Sequence, residues 1–260
     1  MQFTIYQVDA FAQKVFQGNP AAVVPLEEWL PDDLLRNIAA ENNLSETAFF
    51  VKKADHYHLR WFTPAKEVRL CGHATLASAH VLFEHLGYSQ KEIHFEVLAG
   101  TLKVRKDKNG YIMNFPADLT QDSVEDIEWE SIIGVPVLDA IRGTDDVLVR
   151  IANYDQLQTL QPNFRKIAAL DPRGLIVTTE GKATDVASRA FFPTYGIDED
   201  PVTGSAHTFL TPYWSNILGK DQISFEQGGP RKGFLSTTLL GDRVELRGSA
   251  VSYLIGVIYT

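Results

Sequence analysis

The chain opens on MQFTIYQVDAF, in which apolar and polar positions alternate, and a second apolar stretch follows the turn-rich segment Phe16-Gln17-Gly18-Asn19-Pro20. A period of two is the signature of a strand, so residues 3–9 and 21–25 are predicted as strands. Over residues 29–42 the period changes: Leu34, Leu35, Ile38 and Ala39 fall on one helical face, behind Pro31 and two aspartates suited to a first turn. Strands are predicted again at 46–52, 56–63, 93–98, 101–106 and 110–115, the last three linked by turns at Ala99-Gly100 and Lys108-Asn109-Gly110.

Between these strands, the segment from Gly72 to Gly87 has helical length and small or apolar residues almost all round. A helix without a polar face is a buried helix. The second half repeats the arrangement, with strands expected near 147–152, 174–179 and 187–192 and a helix from Gly204 to about Leu218, where Pro212 predicts a kink or a late start. The blocks Glu67-Val68-Arg69-Leu70-Cys71-Gly72-His73-Ala74 and Glu199-Asp200-Pro201-Val202-Thr203-Gly204-Ser205-Ala206 align without gaps at an offset of 132 residues. Each follows a strand ending in aromatics, Arg60-Trp61-Phe62 and Arg189-Ala190-Phe191-Phe192, with a proline soon after. An offset of half the chain suggests an internal duplication.

Composition narrows the partners. The formal net charge is −9 over 260 residues, with no run of Lys and Arg interleaved with aromatics, which argues against nucleic acid. No window approaches the ~18 apolar residues of a membrane helix, and the first residues carry no signal-peptide pattern. A single cysteine, Cys71, excludes an internal disulfide and suits a reducing compartment, so a cytoplasmic location is expected.

Both repeated blocks place glycine and small residues at the start of a buried helix, where unpaired amides and the helix dipole favour a carboxylate or phosphate. Tight packing is the alternative reading of each glycine. His73 sits in the first turn, where a positive charge is disfavoured, so a neutral imidazole is expected there. Glu46 precedes an apolar strand; at a strand start it reads first as a surface group, whereas apolar walls would move its carboxyl toward the range of acid/base work. Asp198, Glu199 and Asp200 read first as a solvated turn, with Asp200 close to the second helix start. Cys71 beside a helix N-terminus could be a lowered-pKa thiol, but nothing local supports a nucleophile. His56, His58, His80, His85, His94 and His207 lack ligand spacing with suitable partners, and no metal is expected. Serine-hydrolase, P-loop and dinucleotide fingerprints are all missing.

Asn-Leu-Ser-Glu-Thr-Ala-Phe at 43–49, Arg-Trp-Phe-Thr-Pro with Glu67 and Leu-Cys-Gly-His-Ala-Thr across 60–75, and Gly-Ile-Asp-Glu-Asp-Pro-Val-Thr-Gly-Ser-Ala-His at 196–207 together resemble the signatures of the phenazine-biosynthesis-protein-F family. Gly-Asn-Pro-Ala-Ala-Val at 18–23 and Glu-Gln-Gly at 226–228 extend the resemblance over nearly the whole chain. It implies an α/β, diaminopimelate-epimerase-like fold: two pseudo-symmetric domains, 1–116 with 249–260 and 117–248, each a curled mixed sheet around a central helix, with the active site in the cleft between them. The last strand, within 250–259, would return to the first domain. The resemblance also implies a homodimer.

Carried over by position, Glu46 matches the family's proton donor and acceptor, His73 and Asp200 its supporting polar pair, and Gly72, Gly204 and Ser205 its substrate-carboxylate contacts. The expected activity is a cofactor-independent isomerisation that moves a proton within a small, carboxylate-bearing unsaturated substrate. A non-catalytic binder of small acids and a racemase or epimerase are the alternatives. Two-thiol inversion fails on counting, because the two helix-mouth positions are Cys71 and Thr203 and the chain has no second cysteine. The segment Gly229-Pro230-Arg231-Lys232-Gly233-Phe234 departs from the family's usual Gly-Arg-Pro ending, which leaves the substrate open.

Overall fold

The computed structural model describes residues 1–124 and 126–260, which form two compact units, Met1–Asn114 with Arg247–Thr260 and Phe115–Leu246. The first contains β1 (Gln2–Ala10), β2 (Asn19–Leu26), α1 (Asp32–Asn42), β3 (Glu46–Lys52), β4 (Tyr57–Phe62), β5 (Glu67–Val68), α2 (Gly72–Glu84), β6 (Glu92–Val97), β7 (Gly100–Asp107) and β8 (Gly110–Pro116). The C-terminal strand Ala250–Tyr259 pairs antiparallel with β1, and the ladder continues through β2, β3, β4, β6, β7 and β8, with β5 set against β4. Two pairs in it are parallel, β2 with β3 and β4 with β6. Parallel neighbours need a crossover, and α1 and α2 supply the two.

The faces of β2 explain its continuous apolar run. Ala22 and Val24 join Leu35, Ile38, Ala39, Phe49 and Phe62 in a core beneath α1. Ala21 and Val23 point the other way, and β2 also packs against α2. In α2 every residue from His73 to Leu82 is buried, as its lack of a polar face predicts. The helix starts where expected, at Gly72, but ends at Glu84 rather than Gly87. The helix expected from residue 29 begins at Asp32, with Pro31 in extended conformation before it.

A short loop joins β1 to β2, and its backbone is held tightly. The buried Asp9 carboxylate accepts the Phe16 N–H at 2.8 Å, and Phe11, Phe16 and Gly18 all have positive φ. A Cβ on Gly18 would lie 2.0 Å from the Ala10 carbonyl oxygen, so only glycine fits before Asn19.

The second unit contains β9 (Asp122–Ser123), α3 (Trp129–Ile133), β10 (Asp139–Arg142), β11 (Asp146–Arg150), α4 (Tyr154–Thr159), α5 (Phe164–Ala168), β12 (Gly174–Glu180), β13 (Val186–Phe192), β14 (Ile197–Asp200), α6 (Gly204–Leu218), β15 (Gln222–Gln227) and β16 (Gly233–Leu240). A further strand, β17 (Arg243–Gly248), leads to the C-terminal strand. The ladder runs β9, β10, β11, β12, β13, β15, β16, with β14 against β13. Its parallel pairs, β11 with β12 and β13 with β15, occupy the same places as those of the first unit. The crossover that α1 makes there is made here by α4 and α5, capped by the side chains of Asn153 and Asn163. These helices are too short to show a period, so the sequence reading did not find them.

α6 starts at Gly204 without delay, and Pro212 lies inside it. Proline removes the N–H that would reach the Thr208 carbonyl, and the Asp118 N–H takes that place at 3.0 Å. Among the described residues no helix is long and apolar enough to cross a membrane.

Gly18→Ala is expected to destabilise the protein by about 1–3 kcal/mol, since it combines a left-handed φ with a backbone clash. The shift of the urea unfolding midpoint at unchanged slope measures this; a variant as stable as the wild type would show that the loop can move aside.

Candidate active site

In the first unit the start of β3 and the start of α2 come together. Glu46, the first residue of β3, places Oε2 3.2 Å from His73 Nε2, with the two side chains 12% and 5% exposed. On the other side of the ring, Asn19 Nδ2 lies 3.3 Å and Cys71 Sγ 3.5 Å from His73 Nδ1. An amide nitrogen can only donate, so Nδ1 accepts and the imidazole proton sits on Nε2, facing the carboxylate. Burial pushes the His73 imidazole down to about 3. The neutrality expected from the helix dipole is therefore present, but desolvation is its main cause. Glu46 thus faces a neutral ring and not a cation.

Glu46, Cys71 and His73 each offer a ligand atom, and these atoms lie within 4.8 Å of one another. The fold thus assembles a cluster that spacing along the chain did not reveal. The donor set fits a metal poorly. Sulfur approaches Nδ1 and the carboxylate approaches Nε2, whereas an ion must lie on the lone pair of one ring nitrogen. Asn19 also already occupies Nδ1. The arrangement is that of a carboxyl set 3.2 Å from a neutral ring nitrogen.

In the second unit, Asp200 is buried at the end of β14, and Gly204 and Ser205 open α6. Thr203 precedes the helix without capping it, because its hydroxyl is committed: it donates to Asp200 Oδ2 at 2.5 Å and accepts from Gln227 Nε2 at 3.0 Å. The same Gln227 amide donates to the Asp200 carbonyl and accepts the Thr203 N–H, both at 3.0 Å. α2 likewise begins without a side-chain cap at Cys71. Both buried helices therefore present first-turn amides that no capping side chain answers, the arrangement that favours an anion.

The structure brings Glu46, Gly72 and His73 together in the first unit, and Asp200, Gly204 and Ser205 in the second. The solvated-turn reading of Glu199 and Asp200 is corrected. Asp200 is buried, and Glu199 receives two hydrogen bonds from the buried Arg189, at 2.8 and 2.6 Å. Arg60 makes the equivalent pair with Glu67, both bonds at 2.7 Å. Each arginine also reaches the crossover of its unit, Arg60 through Asp32 at the start of α1 and Arg189 through the Leu157 and Leu160 carbonyls at the end of α4. His207, which had no assigned role, is buried, pushed down to about 4 by burial, and lies with Nδ1 2.8 Å from the Thr203 carbonyl.

Sequence reasoning missed three polar residues at these helix starts. Asn19 lies in a segment read as a turn, Gln227 in one noticed only for its resemblance, and Arg173, in Asp171-Pro172-Arg173-Gly174, looks like a solvated turn. Its guanidinium in fact donates through Nη2 to Ser205 Oγ at 3.0 Å.

Two strand ladders, each packed round a helix with an uncapped start, give a mixed α/β fold of the diaminopimelate-epimerase-like kind. At the level of fold, a crystal structure of a hydroxyproline epimerase from Agrobacterium vitis, with bound trans-4-hydroxy-L-proline, is similar over 99% of this chain and 92% of that one, with a TM-score of 0.60 at 12% identity. The phenazine biosynthesis-like protein family model matches residues 8–256, and the chain belongs to that family. A curated relative from Pseudomonas aeruginosa, described as an uncharacterized isomerase, is 46% identical over all of both chains. A crystal structure of a phenazine biosynthesis protein of the PhzF family from Enterococcus faecalis is 42% identical, also over all of both chains, with a TM-score of 0.96.

Two outcomes are expected. His73 binds a proton more weakly folded, near 3, than at its ordinary 6.5, so the unfolded chain holds more protons between those values. Stability should be complete above pH 6.5 and fall as the pH drops toward 3. His73→Asn should make that slope in urea unfolding shallower, the remainder being carried by His207 and His80, which burial also lowers to about 4; an unchanged slope would mean His73 does not contribute. Cys71→Ser should keep turnover within about tenfold, since Asn19 still holds His73 Nδ1 and a hydroxyl replaces the thiol as small packing at the helix start. Loss beyond ~100-fold with the fold intact, roughly 2.7 kcal/mol in the barrier, would point to the thiol as a reacting group.

Proposed function

We propose that the protein is a cofactor-independent isomerase that moves a proton within a small, carboxylate-bearing unsaturated substrate, with Glu46 as the single acid and base. The carrying observation is the Glu46 carboxyl held 3.2 Å from a buried, neutral His73 whose tautomer is set from behind by Asn19. A carboxyl so oriented gives a proton to one carbon and takes one from another on the same face, and no charge need be separated from His73 in either step. The uncapped starts of α2 and α6, with Gly72, Gly204 and Ser205, are read as the carboxylate contacts, and Asp200 as a supporting polar group.

The naming of a close relative as an isomerase supports this class of reaction. A racemase would need a second base on the opposite face. The position matching Cys71 is Thr203, whose hydroxyl is engaged by both Asp200 and Gln227 and has far too high a pKa to replace a thiolate. A pure binder of anions would gain nothing from a half-buried acid set against a neutral imidazole.

The test is proton transfer in deuterated water with a panel of β,γ-unsaturated and cyclic diene carboxylic acids. Wild type should place solvent deuterium at the new carbon position of at least one acid. Glu46→Gln should still bind that acid but lose at least ~100-fold in turnover. Turnover of Glu46→Gln within about tenfold of wild type, or no exchange across the whole panel, would sink the proposal.

A further inference from the structure

The two units can be aligned on their own ladders, without reference to how the sequence blocks match. Arg60 faces Phe49 in the β3–β4 ladder and Arg189 faces Val177 in the β12–β13 ladder, and each arginine makes the same two-bond pair with a glutamate. Stepping back three residues from each partner puts Glu46 of β3 on Gly174 of β12. The neighbouring ladders agree: Ala21 of β2 faces Glu46, and Asp146 of β11 faces Gly174. The helix starts match Gly72 with Gly204 and therefore His73 with Ser205.

The place of the acid is thus empty of side chain in the second unit. A Cβ on Gly174 would lie 2.2 Å from the Phe192 ring, which fills that space. The residue just before it turns in instead. Arg173 donates through Nη2 to Ser205 Oγ at 3.0 Å, and its guanidinium lies 5.2 Å from the centre of the Phe192 ring. Where the first unit sets a carboxylate against an imidazole, the second sets a guanidinium against a hydroxyl.

Arg173 is held rigidly enough for that contact to have a direction. The buried Asp146 carboxylate accepts from Nε at 2.9 Å and from Nη2 at 2.5 Å. The Arg173 N–H bonds the Asp145 carbonyl, and the Arg173 carbonyl accepts from Thr194 Oγ1. Because Asp146 balances the charge, Arg173 contributes an oriented donor more than a free cation. A guanidinium has no acceptor, so Ser205 Oγ must accept from it, and the serine's own proton is turned away from Arg173.

We propose that Arg173 is a positioning residue of the α6 end: by donating to Ser205 Oγ it fixes the serine hydroxyl as an outward donor to a substrate carboxylate. This rests on the reading of Ser205 as a carboxylate contact in the isomerase proposed above. Glycine at the position of the acid leaves room for Phe192 and leaves the duplicated position without a base.

The probes are benzoate and its neutral analogue benzamide, with binding followed by the 1H–15N shifts of Gly204 and Ser205. Arg173→Lys keeps a cation beside the buried Asp146 but loses the fork, and Ser205→Ala removes the hydroxyl. Each should weaken benzoate about tenfold and leave benzamide within twofold. The double variant should lose no more than the worse single one, because Arg173 acts through Ser205. A structural role would instead weaken both probes and would add to Ser205→Ala. If Arg173→Lys fails to fold in thermal unfolding, Arg173→Gln with Asp146→Asn, which removes both charges, replaces it with the same expectation. Benzoate affinity within twofold of wild type in the arginine variant, equal losses for the two probes, additive losses, or no benzoate binding to wild type at 50 mM would each overturn the proposal. The benzoate shifts are read without turnover, so failure of the proton-transfer reading leaves this test independent.

Discussion

Each unit is organised by a helix that has no polar face. Nearly every residue of the first three turns of α2 is buried, and α6 buries most of its length in the same way. Such a helix is stable in water only if a sheet wraps it, which is why both ladders carry a parallel pair bridged by this helix, β4 with β6 and β13 with β15. Wrapping the helix also removes water from its first turn. The amides there must then be answered by something polar, and neither Cys71 nor Thr203 caps them.

What aims each helix start is a repeated ion pair. Arg60 with Glu67 and Arg189 with Glu199 join the strand before the helix to the short strand that leads into it, and the same guanidinium groups reach back to the crossover helices. Arg189 is almost fully buried, and removing two charges from water costs several kcal/mol per ion, so the net gain in stability from such a pair is small. Its value lies in geometry: two parallel bonds leave one orientation, and Glu67 and Glu199 are thereby placed five residues before Gly72 and Gly204.

On this common frame the two ends carry different chemistry. One presents a buried neutral imidazole to a carboxylate; the other presents a guanidinium to a hydroxyl and commits its threonine between Asp200 and Gln227. Duplication supplies two equivalent positions, and the side chains then break the equivalence.

Much of this was legible in the residue pattern. Periods of two and 3.6 located β1 to β4, β6 to β8, α1 and α2, and the apolar faces of α2 and α6 announced their burial, because burial on all sides leaves no choice of residue type. The duplication and the candidates Glu46, His73, Asp200, Gly72, Gly204 and Ser205 were likewise readable from blocks along the chain. The short helices α3 to α5 and the strands β5, β9, β10 and β14 were not, being too short for a period, and β15 to β17 went unread although Gly228-Gly229-Pro230 and Gly241-Asp242 mark turns between them. Nor were the partners of the candidates. Asn19 lies 54 residues from His73, Arg173 32 from Ser205 and Gln227 24 from Thr203, and nothing in a linear pattern couples positions so far apart. The sequence by itself determined which elements form and which helices are enclosed, since these follow from local period and polarity. Only the tertiary structure decided the imidazole's proton, the loss of the threonine as a cap and the direction of the serine hydroxyl, since each depends on a partner that folding alone brings within 3.5 Å.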